Sequence, residues 1–323
     1  MTQALVALRN AVKPSLAQLE AGDVVLVAVS GGADSLALAY AVLMEATPLA
    51  VTPVAITIDH QLQENSAVQA EKVSKQLKEM GYENVFIEKV VVTTESGLEA
   101  GARSARYQAL DASADKEGAV KIFLGHTRDD QAETVLLGLA RGSGARSLSG
   151  MAAENGKYLR PFLQVTRQET EDACKELGLE IWNDPHNFNA DFTRVKVRRE
   201  ILPLMESKLG PGISAALART AGLLRDDADA LDGLAAAEIS HLNLTDIDCE
   251  YLAALPRALR TRVIRAAIYA CGAPEGSITA DHVAIAEALV TSWRGQGALS
   301  LPGGVKVERI SGRLSLLAQP TRP

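Results

Sequence analysis

The sequence predicts an α/β protein in which a doubly wound, mostly parallel sheet is followed by a smaller, mainly helical domain with a C-terminal hairpin. Three observations carry this expectation. Between residue 23 and about residue 140, short β-branched runs alternate with helical stretches, the pattern of strands joined by crossover helices. The first run ends in Ser30-Gly31-Gly32, a tight turn from a strand into a helix. After Gly150 the alternation stops, and from about Pro211 the chain is rich in alanine, leucine and arginine. At 323 residues one large domain and one smaller one are expected, here residues 1–210 and 211–323.

The elements follow in order. Val24 to Val29, Pro53 to Ile58, Val85 to Val92 and Lys121 to Leu124 read as buried strands, because each run is short, apolar and bounded by polar or glycine residues. Ser35 to Glu45, Ser66 to Met80 and Leu98 to Gly118 read as the helices between them. Beyond Gly150 come Arg160-Pro161, the polar stretch Trp182 to Asn189 and a basic segment ending at Leu202-Pro203. From Gly295 to Leu317 glycines punctuate alternating valine, isoleucine and leucine, which predicts hairpin strands. In a sheet of this kind ligands bind outside the carboxyl ends of the strands.

Composition narrows the function classes. Hydrophobic residues make up 47% and charged residues 23% of the chain, as in ordinary globular proteins and unlike disordered or fibrous ones. The net charge of −7 opposes bulk affinity for nucleic acid. Only local clusters could meet phosphates: Arg194, Lys196, Arg198 and Arg199, and further on Arg257, Arg260, Arg262 and Arg265. No apolar run reaches membrane-spanning length, and Met1 to Pro14 is a short amphipathic segment rather than a signal sequence, so a cytoplasmic protein is expected. Cys174, Cys249 and Cys271 are odd in number and far apart, which argues for buried thiols over a disulfide framework or a sulfur-carrying Cys-x-x-Cys pair.

Four motifs could carry chemistry. In Ser30-Gly31-Gly32-Ala33-Asp34-Ser35, the glycines turn the backbone so that its N–H groups face an anion. The positive end of the following helix adds to the attraction for phosphate. No lysine follows the glycines, which excludes a Walker-type loop, and Asp34 beside bound phosphates calls for Mg²⁺ between them. The plainer reading is a turn with a helix cap. Asp59, in Ile58-Asp59-His60, is placed either to accept from a ribose or base or to form a turn. In Gly125-His126-Thr127-Arg128-Asp129-Asp130-Gln131-Ala132-Glu133-Thr134, a helix beginning near Thr127 puts His126, Asp129 or Asp130, and Glu133 on one face. Acidic residues also suit a helix start as such, but the glycine-rich turn Arg141-Gly142-Ser143-Gly144 follows and brings positive charge. Arg103 and Arg106, three apart on a helix, either clamp phosphates or pair with neighbours such as Glu99.

In this order and spacing, the four motifs resemble the lysidine synthase family of Ser-Gly-Gly-x-Asp-Ser ATP pyrophosphatases. Arg160-Pro161, Trp182-x-Asp184-Pro185-x-Asn187 and Arg194 to Pro203 extend the likeness, which covers residues 24 to about 205. The resemblance implies an adenine nucleotide hydrolase-like fold and a two-step reaction on an isoleucine tRNA with a CAU anticodon. ATP adenylates the C2 oxygen of the wobble cytidine and releases pyrophosphate; the amine of L-lysine then attacks C2 and expels AMP. It implies nucleotide binding by Ser30, Gly31, Gly32, Ala33, Asp34, Ser35, Asp59 and Gly125, and Mg²⁺ at Asp34 and Asp129. Catalytic roles fall to Asp34, Arg103, Arg106, His126, Asp130 and Glu133, and a homodimer is compatible with the sequence. Two positions depart from the family pattern: Thr127 stands where a second histidine is usual, and Gln63 where an arginine is usual. The competing readings are a tRNA 2-thiolation enzyme, which needs cysteines this chain lacks, relatives of GMP or NAD synthetases, and a nucleotide-binding sensor without catalysis.

Overall fold

The computed structural model describes residues 2–61, 65–92, 97–142, 144–182, 193–274 and 276–318. The chain forms two compact units, Met1–Arg141 with Gly150–Ala221, and Gly142–Ser149 with Gly222–Pro323.

The first unit opens with α1 (Gln3–Leu16), β1 (Val24–Ala28), α2 (Ala33–Ala46), β2 (Thr52–Asp59) and α3 (Ser66–Met80). It continues through β3 (Val85–Lys89), α4 (Leu98–Glu117), β4 (Ala119–Leu124) and α5 (Arg128–Ala140). After α6 (Ala145–Leu148), which belongs to the second unit, come β5 (Glu154–Asn155), β6 (Tyr158–Leu159), α7 (Arg167–Glu176), α8 (Thr193–Lys196) and α9 (Leu202–Leu209). The sheet order is β3-β2-β1-β4-β6-β5, parallel throughout except where β5 turns back on β6. Connections run one way from β1 to β2 and β3 and the other way to β4, so the strand order reverses between β1 and β4, where sheets of this type bind ligands.

Both faces of the sheet are buried, which is why its strands read as unbroken apolar runs. Val25, Val27, Val29, Ala55 and Phe123 pack on one side with residues of α1, α2 and α7. Leu26, Ala28, Val54, Ile56, Ile122 and Leu124 pack on the other with Leu110 and Ala114 of α4. The helix α2 lies inside the fold, with Leu36, Ala37, Leu38, Ala39, Ala41 and Val42 fully buried; its alanines allow close approach on several sides. The strand expected to reach Val92 stops at Lys89, opposite Asp59, where its neighbour β2 ends. The helix α3 has the expected bounds and closes on Gly81 at φ 115°, whose N–H donates to the carbonyls of Leu77 and Lys78.

In the second unit, the latter part of α10 (Ile213–Ile239) is followed by β7 (Asp246–Asp248), α11 (Cys249–Ala254), α12 (Arg257–Ala270) and α13 (Ala280–Thr291). Then come β8 (Leu299–Leu301), β9 (Val305–Ile310) and β10 (Arg313–Ala318). The expected hairpin is β9 and β10, turned through Ser311 and Gly312 at φ 49° and 80°, the left-handed pair that a two-residue hairpin turn favours. β7 and β8 complete an antiparallel sheet in the order β7-β10-β9-β8, over a core that includes Leu252, Ile264, Ile268, Leu289, Val307 and Leu314. All three cysteines are free and buried. Among the described residues no helix is long and apolar enough to cross a membrane.

Candidate functional site

Two chain segments leave the sheet at the reversal point. The first is Ser30 to Ser35. Gly31 has φ +87°, and a Cβ there would lie 2.6 Å from Val73 Cγ2, so both conformation and space require glycine. The Ser35 hydroxyl accepts from Ser30 N (3.1 Å) and donates to Gly32 O (2.9 Å), holding the loop closed. Gly32 is the N-cap of α2 and supplies no side-chain cap; Ser35 N turns back to Gly32 O at 3.1 Å, and the amides of Ala33 and Asp34 suit an external anion. The second segment leaves β4 through Gly125, where a Cβ would meet Asp34 O at 2.9 Å and Ser35 Cα at 3.1 Å. Glycine therefore lets the end of β4 touch the first turn of α2.

Asp34 stands at this junction. Its Oδ1 accepts from Thr170 Oγ1 at 2.5 Å, and Arg167 Nε lies 3.7 Å from its Oδ2. Burial, then the negative charge of Asp130, push its carboxyl up to about 6, although Arg167, Thr170 and Arg198 act the other way. A carboxylate so under-compensated suits a cation. Mg²⁺ commonly takes one or two protein carboxylates and completes its shell with phosphate oxygens and water. Asp129, the second metal candidate, accepts the Arg167 amide on Oδ2 at 2.9 Å. Among the described residues no three histidine, cysteine or acidic side chains converge into a metal cage.

The acidic helix α5 begins behind Thr127, which is fully buried and forms a capping box with Asp130. Thr127 N and Oγ1 both donate to Asp130 Oδ2, at 2.9 and 3.1 Å. The position where the family pattern has a second histidine thus serves here to start the helix. Asp130 Oδ1 accepts from Arg167 Nη2 and Arg198 Nη2, each at 3.1 Å. Burial alone would raise the Asp130 carboxyl, but Arg167, the Thr127 amide and Arg198 outweigh it and hold it below the usual range. Glu133 is wholly buried and is gripped by Arg198 through Nε at 2.6 Å and Nη2 at 3.0 Å. Arg167 and Arg194 lie 3.6 and 3.7 Å from it. A cavity of about 240 Å³ opens here, with Asp129, Glu133 and Glu206 facing Arg167 and Arg198, and Leu202 and Pro203 completing its wall.

His126 is kept neutral. Burial lowers its imidazole to about 3; Arg106, Arg160 and Arg103 add to the effect, and Asp130 opposes it. Its Nδ1 is buried without a hydrogen-bond partner. The two arginines of α4 are therefore brought into the electrostatic reach of the histidine: Arg103 stacks over the Tyr107 ring at 4.9 Å, and burial lowers the half-buried Arg106. Asp59 lies buried at the tip of β2, its Oδ1 accepting from Gln61 N at 2.9 Å in a local turn. Arg141 is exposed. Gln63, Ser143, Asp184, Pro185 and Asn187 fall outside the described residues.

Two contributors escape sequence reasoning. Arg167 and Thr170 stand on the first turn of α7, whose capping box of Thr166 and Glu169 signals a helix start. Nothing in the sequence ties that start to Asp34, which is 136 residues away from Thr170. Arg194 and Arg198, read as a basic patch, turn inward to Glu133, Thr134 and Asp130.

Comparison with known proteins agrees with this geometry. The PP-loop domain family matches residues 5–205, the span that contains the loop, the acidic helix and α7. The TilS substrate binding domain family matches residues 247–315, from β7 into the hairpin. The tRNA(Ile)-lysidine synthase of Thermobifida fusca is 51% identical over 312 residues, 96% of each chain. That of Streptomyces coelicolor is 52% identical over 301 residues, 92% of this chain and 86% of its own. Among solved structures, the U34-tRNA thiolase NcsA from Methanococcus maripaludis covers 69% of this chain and 80% of its own at 18% identity and TM-score 0.58, a likeness of fold. With both units matched and identity near one half along almost the whole length, the chain belongs to the tRNA(Ile)-lysidine synthase family.

Proposed function

We propose that the chain joins L-lysine to the wobble cytidine of an isoleucine tRNA with a CAU anticodon, at the expense of ATP. In the first step the cytidine C2 oxygen attacks the α-phosphorus of ATP, the α–β bridge breaks and pyrophosphate leaves. In the second the lysine amine attacks C2, the C–O bond breaks with AMP as leaving group, and the amine loses a proton. The observation that carries this reading is the junction of an uncapped anion-binding turn with Asp34 on one side and an acid-and-arginine-lined cavity on the other.

The roles follow from the chemistry. The amides of Gly31 to Asp34, at the start of α2, hold the departing pyrophosphate, beside Gly125, whose lack of a side chain keeps the turn in place. Asp34 and, as a second candidate, Asp129 would hold Mg²⁺, which would supply positive charge to offset that of the phosphates. Arg103 and Arg106 face the phosphoryl group in transfer. A neutral His126 with a free buried nitrogen can hydrogen-bond a reacting group without adding charge. The cavity carries both signs of charge, as a zwitterionic amino acid with a cationic side chain requires, with Asp130 and Glu133 behind it. Asp59 is assigned to the nucleotide. Residues 1–210 form the catalytic part and residues 211–323 the part that engages tRNA, in the cytoplasm. A homodimer is compatible with this reading.

The thiolation reading is disfavoured by the cysteines: all three are buried and widely separated in the sequence, and burial, followed by Asp34, pushes Cys174 up to about 12. The test is release of AMP and pyrophosphate that depends on lysine and isoleucine tRNA together, with mass spectrometry of the anticodon nucleoside. AMP release that needs neither would end the assignment; ATP binding with no turnover would favour a sensor.

A further inference from the structure

We propose that Arg167 is a positioning residue that ties the pyrophosphate loop to the acidic helix, with Thr170 as its companion, so that the first turn of α7 sets the two substrate sites in register. This rests on the reading of Asp34 as the nucleotide side and of Asp130 and Glu133 as the lysine side.

Four contacts make the bridge. The Arg167 amide donates to Asp129 Oδ2 at 2.9 Å. Its Nη2 donates to Asp130 Oδ1 at 3.1 Å and lies 3.6 Å from Glu133 Oε1. Its Nε lies 3.7 Å from Asp34 Oδ2. Among the described residues no other cation is ion-paired with both Asp34 and Asp130. Thr170, fully buried, donates to Asp34 Oδ1 and sits over the Arg167 carbonyl at 2.7 Å. The helix carrying both is held in place: Glu169 closes its capping box with Thr166, and Cys174 Sγ donates to Ala33 O, on the first residue of α2, at 3.4 Å.

The need for such a bridge is electrostatic. Asp34, Asp130 and Glu133 crowd one region, and like charges there repel unless a cation lies between them. Arg198 is paired with Asp130 and Glu133 and acts on Asp34 only from a greater distance, whereas among the described residues Arg167 is the cation ion-paired across the gap to Asp34. A guanidinium presents several donors in a rigid planar fork, whereas an ammonium is a compact point charge. Lysine at this position can reach one side of the gap but not both.

The test uses the full chain and three variants, Arg167→Ala, Arg167→Lys and Thr170→Val, with Mg·ATP affinity from calorimetry and KM for lysine and for tRNA from turnover. For Arg167→Ala we expect both Mg·ATP affinity and lysine KM to worsen at least tenfold, with tRNA KM within twofold. Arg167→Lys should restore one of the two and leave the other impaired. Thr170→Val removes a hydroxyl that meets Asp34 and the Arg167 carbonyl but none of the acids assigned to lysine; it should weaken Mg·ATP at least threefold and leave lysine KM within twofold. A merely structural α7 would lower the melting temperature and leave all three constants of the folded fraction unchanged, which overturns the proposal. So would a Thr170→Val variant that disturbs lysine as much as ATP. If Arg167→Ala does not fold, the other two variants decide. Lysidine formation by the unaltered chain is read separately: its absence would sink the functional reading, and Mg·ATP affinity would still decide whether Arg167 holds Asp34.

Discussion

Two clusters of arginine and aspartate or glutamate, built from the same kinds of side chain, stand in the two units. In the first unit Glu133 has no exposed side-chain surface and Asp130 retains 11%, against Arg198 at 28% and Arg167 at 23%. In the second, Arg146 at 46% pairs with Asp229 and Asp232 at 59% and 47%, and Arg262 joins Asp232. Exposed pairs of the latter kind contribute about 0–1 kcal/mol. A buried network is costly to desolvate, and apolar residues of the same volume often serve stability as well or better. The first cluster is therefore poorly explained by stability and well explained by chemistry. Burial alone is not the marker: Glu287 in the second unit is buried between Arg257 and Arg260, but it is a single acid joining α12 to α13. The first cluster sets Asp130 and Glu133 against Arg167, Arg194 and Arg198, beside a cavity that Glu133, Arg167 and Arg198 help to line.

The largest effect expected is on turnover. Asp34→Asn should lower lysidine formation at least a hundredfold, while the melting temperature at pH 7 holds or rises. The sign follows from its position near 6: for the unliganded protein, its contribution to stability is complete below the usual carboxylate range and is lost as pH rises through 6. A neutral amide escapes that loss. Activity within tenfold of the unaltered chain would remove Asp34 from the mechanism.

Next comes stability at the buried cluster. Glu133→Gln removes the buried charge that Arg198 grips, although Arg198 keeps its pair with Asp130, and should cost about 1–3 kcal/mol in chemical denaturation. The double variant Glu133→Met with Arg198→Leu should recover most of that stability and remain inactive. If it recovers activity as well, the contrast between the clusters collapses.

A smaller, pH-dependent effect tests His126. Its folded-state value lies below the ordinary one, so the unfolded chain binds the proton first. The contribution is intact above about pH 6.5 and is lost as pH falls from there toward 3. Melting temperatures of His126→Gln and the unaltered chain should therefore converge as pH is lowered through this window. Parallel curves would mean that the imidazole titrates normally.

Legibility in the sequence followed the range of the physics. Strands β1, β2 and β4 were readable because burial on both faces is written locally as continuous apolar runs, and α3 because its Gly81 stop is local too. The loop of Ser30 to Ser35 was readable because backbone turns need glycine at fixed positions. The bridge from α7 was not, since Thr170 and Asp34 meet only through the packing of α2 on α7. The inward turn of Arg194 and Arg198 was equally hidden: a run of arginines looks the same whether it meets solvent, phosphate or a buried Glu133. Asp59 shows the converse, for the turn at Gln61 was one of two readings open from sequence, and its Oδ1 contact realises it without deciding what the carboxylate does with a nucleotide.

The smallest effect belongs to the second cluster. Arg146→Ala removes the partner shared by Asp229 and Asp232, yet Arg262 still pairs with Asp232 through Nε at 2.6 Å, and all these groups face water. The expected loss is at most about 1 kcal/mol, and it should shrink further as added salt screens the pair. Turnover should stay within twofold. Because α6, which carries Arg146, follows the acidic helix closely in the chain, a loss of tenfold or more in turnover with little change in stability would show that the exposed cluster transmits something to the site. The distinction between a chemical cluster and an ornamental one would then have to be redrawn by connection rather than by burial.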